Sequence, residues 1–101
     1  MTQIKEITVE ELKEKLKKEK ITLVDIRDKE NFVENHLSGA IHVDQYNFNE
    51  FVKNADLEQL VVVYCYRGNR SKKFIPRLLH KGFKNVCHLA GGFNEWLAKN
   101  K

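Results

Sequence analysis

The stretch that most constrains this chain is Leu60-Val61-Val62-Val63-Tyr64, five apolar residues that give way at Cys65 to Tyr66-Arg67-Gly68-Asn69-Arg70-Ser71 and then to a helical pattern. A continuous apolar run of this length reads as a strand buried on both faces of a parallel sheet. The carboxyl end of such a strand is where an open α/β sheet places its ligand crevice. The residues after Cys65 are expected to curl into a loop with inward-pointing backbone N–H groups, followed by the positive end of a helix dipole. A thiol held there loses its proton easily, which makes Cys65 the candidate nucleophile. The competing reading is a buried cysteine acting as a small hydrophobe, the commoner role of the residue. Two arginines and a glycine within five residues argue against inertness.

A chain of 101 residues supports one domain, residues 1–101, with a core of its own and no room for a second. Its hydrophobic content of 42% and charged content of 32% suit a soluble globular protein rather than a disordered or membrane one. No apolar stretch approaches the length needed to span a bilayer, and Met1-Thr2-Gln3-Ile4-Lys5-Glu6 lacks the apolar segment of a signal peptide. The expected compartment is the cytoplasm, where thiols stay reduced. Net charge is +4, but residues 1–58 carry 9 basic and 13 acidic residues, whereas residues 59–94 carry 7 basic residues and no acid. The basic stretch surrounds Cys65, and a one-signed field around a cleft attracts anions and stabilises a thiolate. Nucleic-acid binding is the weaker reading, because the stretch lacks interleaved aromatics and matches no recognition motif.

Along the chain, Thr8-Val9-Glu10-Glu11 is a capping box that opens a helix over about residues 9–19, with Val9, Leu12 and Leu16 at helical spacing. Residues 21–26 read as a strand. Asp28 is placed to cap a short helix running through Phe32 to about His36, and Gly39 ends that unit. Residues 40–43 read as a short strand, and Asn47-Phe48-Asn49-Glu50 as a second capping box opening a helix that buries Phe48, Phe51 and Val52. After Cys65, Phe74, Leu78 and Leu79 mark the inner face of a helix that Gly82 terminates. Pro76 within it predicts a kink or a late start. Val86-Cys87-His88-Leu89 is the next strand, Gly91-Gly92 a turn, and Phe93 to about Asn100 a closing helix with Trp96 on its inner face. Strands alternating with helices over this length indicate a parallel α/β sheet of four or five strands.

Four pieces in order resemble a single-domain rhodanese, a sulfurtransferase: Leu23-Val24-Asp25-Ile26-Arg27; Phe32 with His36-Leu37-Ser38-Gly39-Ala40-Ile41; Cys65 to Ser71; and Gly91-Gly92-Phe93-Asn94-Glu95-Trp96. The resemblance covers Thr8 to Leu97. It implies a rhodanese-like α/β fold, with a five-stranded, mainly parallel sheet and helices on both faces. It also implies that Cys65 carries sulfur and that residues 65–70 form the loop whose amides cradle it. Within that loop, Gly68 suits a tight turn around the sulfur, Arg67 is the candidate anion contact, and Arg70 either points to the donor or braces the loop. Tyr66 and Asn69 complete the loop, and Asn69 and Ser71 suit hydrogen bonding at the helix start. Asp25 and Arg27 resemble the family's Asp-x-Arg pair and read as scaffolding. His36 reads as a packing residue rather than a base, Cys87 as a structural mid-strand thiol, and His42, His80 and His88 lack metal-site spacing.

The chemistry implied is sulfur transfer in two half-reactions, from a small anionic donor such as thiosulfate or a persulfide to Cys65, and then to cyanide, a cellular thiol or a protein cysteine. No metal or organic cofactor is required. Two rivals share the fold. A cysteine phosphatase or arsenate reductase needs Cys-x5-Arg, whereas here Arg70 follows Cys65 after four residues and Ser71 holds the phosphatase arginine's place. A binding or regulatory module is the other, and inactive relatives of that kind commonly lack the cysteine that this chain keeps.

Overall fold

The run from Leu60 becomes the central strand β4 (Val61–Tyr64), with all four side chains buried and Leu60 left just outside it. The computed structural model describes residues 5–99. Around β4 the order is β1 (Glu6–Ile7), α1 (Val9–Lys18), β2 (Thr22–Asp25), α2 (Lys29–Glu34), β3 (Ile41–His42), α3 (Phe48–Asn54), β4, α4 (Asn69–His80), β5 (Val86–Leu89) and α5 (Gly92–Lys99). The strands form one sheet in the order β1-β5-β4-β2-β3, and every neighbouring pair is parallel. From β2 the chain winds outward one way to β3, and from β4 it winds outward the other way to β5. The crevice between the carboxyl ends of β2 and β4 is therefore the topological switch point, where Asp25 pairs in register with Tyr64 and Cys65 follows.

Two apolar clusters sandwich the sheet, as alternation of side chains along each strand requires. One joins Val24, Val61, Val63 and Val86 to Phe48 and Phe51 of α3 and to Phe74, Ile75 and Leu78 of α4. The other joins Leu23, Val62, Tyr64 and Leu89 to Val9 and Leu12 of α1 and to Phe93 of α5. Helices thus cover both faces.

Four local expectations change. The first helix has its capping box, with Thr8 N–H on Glu11 at 2.9 Å and Glu11 N–H on the Thr8 hydroxyl at 3.1 Å. Asp28 and Asn47, by contrast, sit at the N-caps of α2 and α3 without making a side-chain cap bond. The Asn47 amide instead accepts from Asp44 N–H at 2.8 Å and donates to the His42 carbonyl at 2.8 Å, bracing the β3–α3 turn. Pro76 neither delays nor interrupts α4, which starts at Asn69 and is assigned without a break to His80. Proline deprives the carbonyl four residues back of its partner; that residue, Lys72, is exposed, so water can satisfy the oxygen. Val52 is half-buried beside the buried Phe48 and Phe51. The expected helix end at Asn100 and the first four residues of the leader reading lie outside the described residues.

Candidate active site

Cys65 follows directly on β4 and is 1% exposed. The chain turns at Gly68, the N-cap of α4, whose φ of +103° is a left-handed conformation that glycine adopts without strain. This turn aims the Gly68 N–H at Cys65 Sγ, 3.1 Å away. Ser71, fully buried in the first turn of α4, places its hydroxyl 3.6 Å from the sulfur and donates to the Gly68 carbonyl at 3.2 Å. The start of α5 grips the loop from the other side: Phe93 N–H donates to the Cys65 carbonyl at 2.8 Å and Asn94 N–H to the Tyr66 carbonyl at 3.0 Å. So close an approach demands glycine at position 92, where a Cβ would lie 2.6 Å from the Cys65 carbonyl oxygen.

Burial pushes the Cys65 thiol up, but hydrogen bonding from the Ser71 hydroxyl and from the N–H groups of Ser71, Gly68 and Arg70 outweighs it, so the pKa lies below the ordinary thiol value. Cys87 shows the opposite sense. It is half-buried in β5, packs on the α1/α5 side of the sheet, and burial raises its pKa.

Asp25 and Arg27 lie at the end of β2, next to β4, and are 0% and 5% exposed. They form a fork: the Arg27 guanidinium Nε donates to both carboxylate oxygens at 3.2 and 3.1 Å, and a terminal nitrogen reaches Oδ2 at 2.9 Å. The same guanidinium donates to the carbonyls of Asn31 and Asn35 and lies 3.9 Å from the centre of the Phe93 ring. With Nε and one terminal nitrogen taken up by the carboxylate and by two backbone carbonyls, the buried pair reads chiefly as a frame for the β2–α2 connection, although Arg27 also borders the cleft beside the loop. Tyr66 joins that frame to the loop, because its hydroxyl donates to Asp28 at 3.1 Å and accepts from the Asn31 amide.

Arg67, Asn69 and Arg70 are exposed on the rim. Arg70 opens onto a cleft of about 920 Å³, with Lys73 and Arg77 of α4 along one wall and Asp44 and Tyr46 along the other. A smaller groove of about 480 Å³, lined by Thr22, Ile41 and Phe51, lies toward the amino end of β2, away from Cys65. His36 stacks on Phe32 at 4.0 Å and bonds the Phe32 carbonyl through Nδ1 at 2.7 Å, a packing role. Among the described residues no group of three or more His, Cys, Asp or Glu side chains is arranged to hold a metal ion, and no helix is long and apolar enough to cross a membrane.

The structure thus brings Cys65, Gly68 and Ser71 into one hydrogen-bonded unit, sets Asp25, Arg27 and Tyr66 around it, and leaves Arg67, Asn69 and Arg70 facing solvent. Sequence reasoning passed over the Tyr66 tether to α2 and the approach of the His88 ring to the open side of Gly68. The first leaves no local signal. The second was accessible in part, since strand alternation puts His88 on the same face as the core residue Val86.

Residues 8–99 match the rhodanese-like domain. The chain is 40% identical over 98 residues to a thiosulfate sulfurtransferase GlpE of Pseudomonas putida, covering 97% of this chain and 89% of that one. It is 38% identical over 94 residues to that of Coxiella burnetii, covering 93% and 88%. Among solved structures, a rhodanese-like domain protein from Staphylococcus aureus superposes with a TM-score of 0.81 at 26% identity, covering 92% and 91%. A rhodanese-related protein from Thermoplasma volcanium gives 0.81 at 23%, covering 95% and 93%. With four sequence pieces, the parallel sheet and the cysteine loop all in the same order, the chain belongs to the rhodanese-like domain family.

Proposed function

We propose that this protein is a thiosulfate sulfurtransferase: a single rhodanese domain, working in the cytoplasm, that passes a sulfane sulfur through Cys65. The observation that carries this reading is the Gly68 N–H aimed at Sγ from 3.1 Å, supported by the Arg70 and Ser71 N–H groups and by the Ser71 hydroxyl 3.6 Å away, which can turn from the Gly68 carbonyl to a thiolate; together they stabilise negative charge on sulfur. The Cys65 thiolate attacks the outer sulfur of thiosulfate. The new bond joins Cys65 Sγ to that sulfur, the donor's S–S bond breaks, and sulfite leaves with the bonding pair. The product is a Cys65 persulfide whose charge the same amides face. A thiophile then attacks the outer sulfur, and the thiolate is regenerated as thiocyanate or a new persulfide departs.

Arg67 and Arg70 attract the dianionic donor to the rim, while Asp25, Arg27 and Tyr66 hold the loop. Phosphate chemistry is disfavoured by position 71. A buried serine bonded to the loop stands where a phosphatase needs an arginine reaching a tetrahedral oxyanion. The cleft beside Arg70 suits a thiol acceptor larger than cyanide.

The test is intact-mass analysis of the reduced protein after thiosulfate exposure, with the added atom mapped. One extra sulfur on Cys65, absent in Cys65→Ser and retained in Cys87→Ser, is expected, together with negligible hydrolysis of an aryl phosphate. Equal loss of sulfur loading in both folded variants overturns the assignment.

A further inference from the structure

His88 is a buried imidazole that the sulfur-transfer scheme leaves unused. It stands in β5, on the face that packs against α4, and is 2% exposed. Its ladder neighbour on β1 is Glu6, whose carboxylate lies 3.0 Å from His88 Nε2. That contact places the proton on Nε2 and leaves Nδ1 as a bare acceptor. Nδ1 is buried and has no hydrogen-bond partner among the described residues, an uncommon condition for a buried polar atom. It faces the active loop: the point where a Cβ on Gly68 would sit is 3.8 Å from both Nδ1 and Cε1 of His88 and 3.8 Å from Gly91 N. The side of Gly68 on which a side chain would stand therefore faces the imidazole edge and the Gly91 backbone, while its N–H is aimed at Cys65 Sγ.

We propose that the Glu6–His88 pair is a positioning element for the sulfur loop: the neutral imidazole seats Gly68 with its N–H on Cys65 Sγ, and protonation of His88 unseats it. The inference rests on the reading of Cys65 as the sulfur-carrying thiolate. A proton arriving at Nδ1 has no acceptor in place, and burying an unpaired donor and a charge is costly. It would also put a cation beneath the first turn of α4, the positive end of that helix. The charged neighbours divide. From β1, Glu6 favours the cation; from α4, Lys72 opposes it; and on β4 the ladder neighbour is the apolar Val63, with Cys65 two residues beyond. Burial is the largest influence and disfavours the charged ring, so protonation of His88 is displaced to lower pH than for a free imidazole. The loop then shifts to give the new proton an acceptor, and Gly68 N–H leaves the sulfur.

Two measurements on the protein in its reduced form test this. In the wild type, nitrogen chemical shifts of His88 are followed with pH alongside the Gly68 amide. The expected result is an Nε2–H tautomer at neutral pH and a Gly68 amide shift that tracks the His88 titration. In a Cys87→Ser background, the rate of Cys65 alkylation against pH is compared with and without His88→Phe, which keeps a ring and cannot be protonated. The parent should lose reactivity in acid more steeply than one proton allows, and the phenylalanine variant should follow a one-proton curve. Glu6→Gln should move the extra acid step to lower pH, because the carboxylate no longer favours the cation. A Gly68 amide that ignores His88 titration, or identical one-proton profiles for parent and variant, overturns the proposal. Either outcome leaves thiosulfate loading of Cys65, measured separately, as the independent test of the sulfur-transfer reading.

Discussion

Replacing Ser71 by alanine removes a hydroxyl that stands beside the sulfur and also ties the loop backbone at Gly68. The hydroxyl is 3.6 Å from Cys65 Sγ and also bonds the Gly68 carbonyl at 3.2 Å. A hydrogen bond to a charged group contributes about 1.5–3 kcal/mol, and one pKa unit corresponds to about 1.36 kcal/mol. The long sulfur–oxygen distance, and the need for the hydroxyl to give up Gly68 in order to face a thiolate, place the effect at the low end, about one unit. The Cys65 pKa should therefore rise by about one unit in Ser71→Ala, and alkylation below the midpoint should slow about tenfold.

The assay is the pH profile of iodoacetamide alkylation in a Cys87→Ser background, with thiolate absorbance as a second probe. Stability supplies a second reading. Folding depresses the Cys65 pKa, so thiolate formation stabilises the native state fully above the free-thiol value of about 8.5, and this contribution is lost as pH falls through the folded value. The alanine variant has less of it. On top of a loss of about 1 kcal/mol for the bond to Gly68, its deficit should grow as pH rises toward that free-thiol value. An unchanged Cys65 midpoint in a folded variant would refute the reasoning and leave the backbone amides as the whole cause of activation.

Asp25→Ala strands the buried Arg27 guanidinium and should lower unfolding free energy by about 3–5 kcal/mol in urea titrations; a loss under about 1 kcal/mol would show that the carbonyls of Asn31 and Asn35 suffice. Gly92→Ala drives a methyl into the Cys65 and Tyr66 backbone at a φ of +61°, whereas Gly39→Ala, at +84°, meets nothing within 4 Å. The second should cost about 1–2 kcal/mol for the left-handed conformation alone. The first should cost far more and displace the loop, and similar losses in thermal melts would contradict the clash argument. Arg67→Ala should raise the KM for thiosulfate and flatten its salt dependence, since exposed charges are screened over about 8 Å at physiological ionic strength, while cyanide attack changes less. Unaltered donor kinetics at low and high salt would make Arg67 a solvated loop residue.

The parts of the fold legible in the chain are those whose signal is local. The run ending at Tyr64 announced a doubly buried strand, and the turn at Gly68 announced the loop, because each depends on residues within a few positions. The strand Glu6–Ile7 was not read, since two residues carry no periodicity and become a strand only through pairing with His88 and Leu89. Asn47 carried the composition of a cap, but its amide is engaged by Asp44 and His42, a competition that sequence spacing does not rank. The late start that Pro76 suggested does not occur, because the cost of the proline depends on whether the orphaned carbonyl meets water. At the site, Cys65, Gly68 and the arginines could be placed from the loop pattern. The nearness of Ser71 to the sulfur, the tether from Tyr66 to Asp28 and Asn31, and the seat under Gly68 are products of strand order and register.

The pairing of the first strand with the last has a kinetic consequence. Glu6 meets His88 only after the loop between them, nearly the whole domain, has closed, and contacts of such sequence separation are entropically late. The central pairs β2–β4 and β4–β5 close shorter loops and can assemble Cys65, Gly68 and Ser71 first. A two-residue edge strand adds little hydrogen bonding to resist opening. It should therefore be the first segment to exchange its amides with solvent and the last to dock. In a refolding experiment, recovery of a reactive Cys65 should precede protection of the Glu6 and Ile7 amides, so that the sulfur site forms before the edge that steadies it.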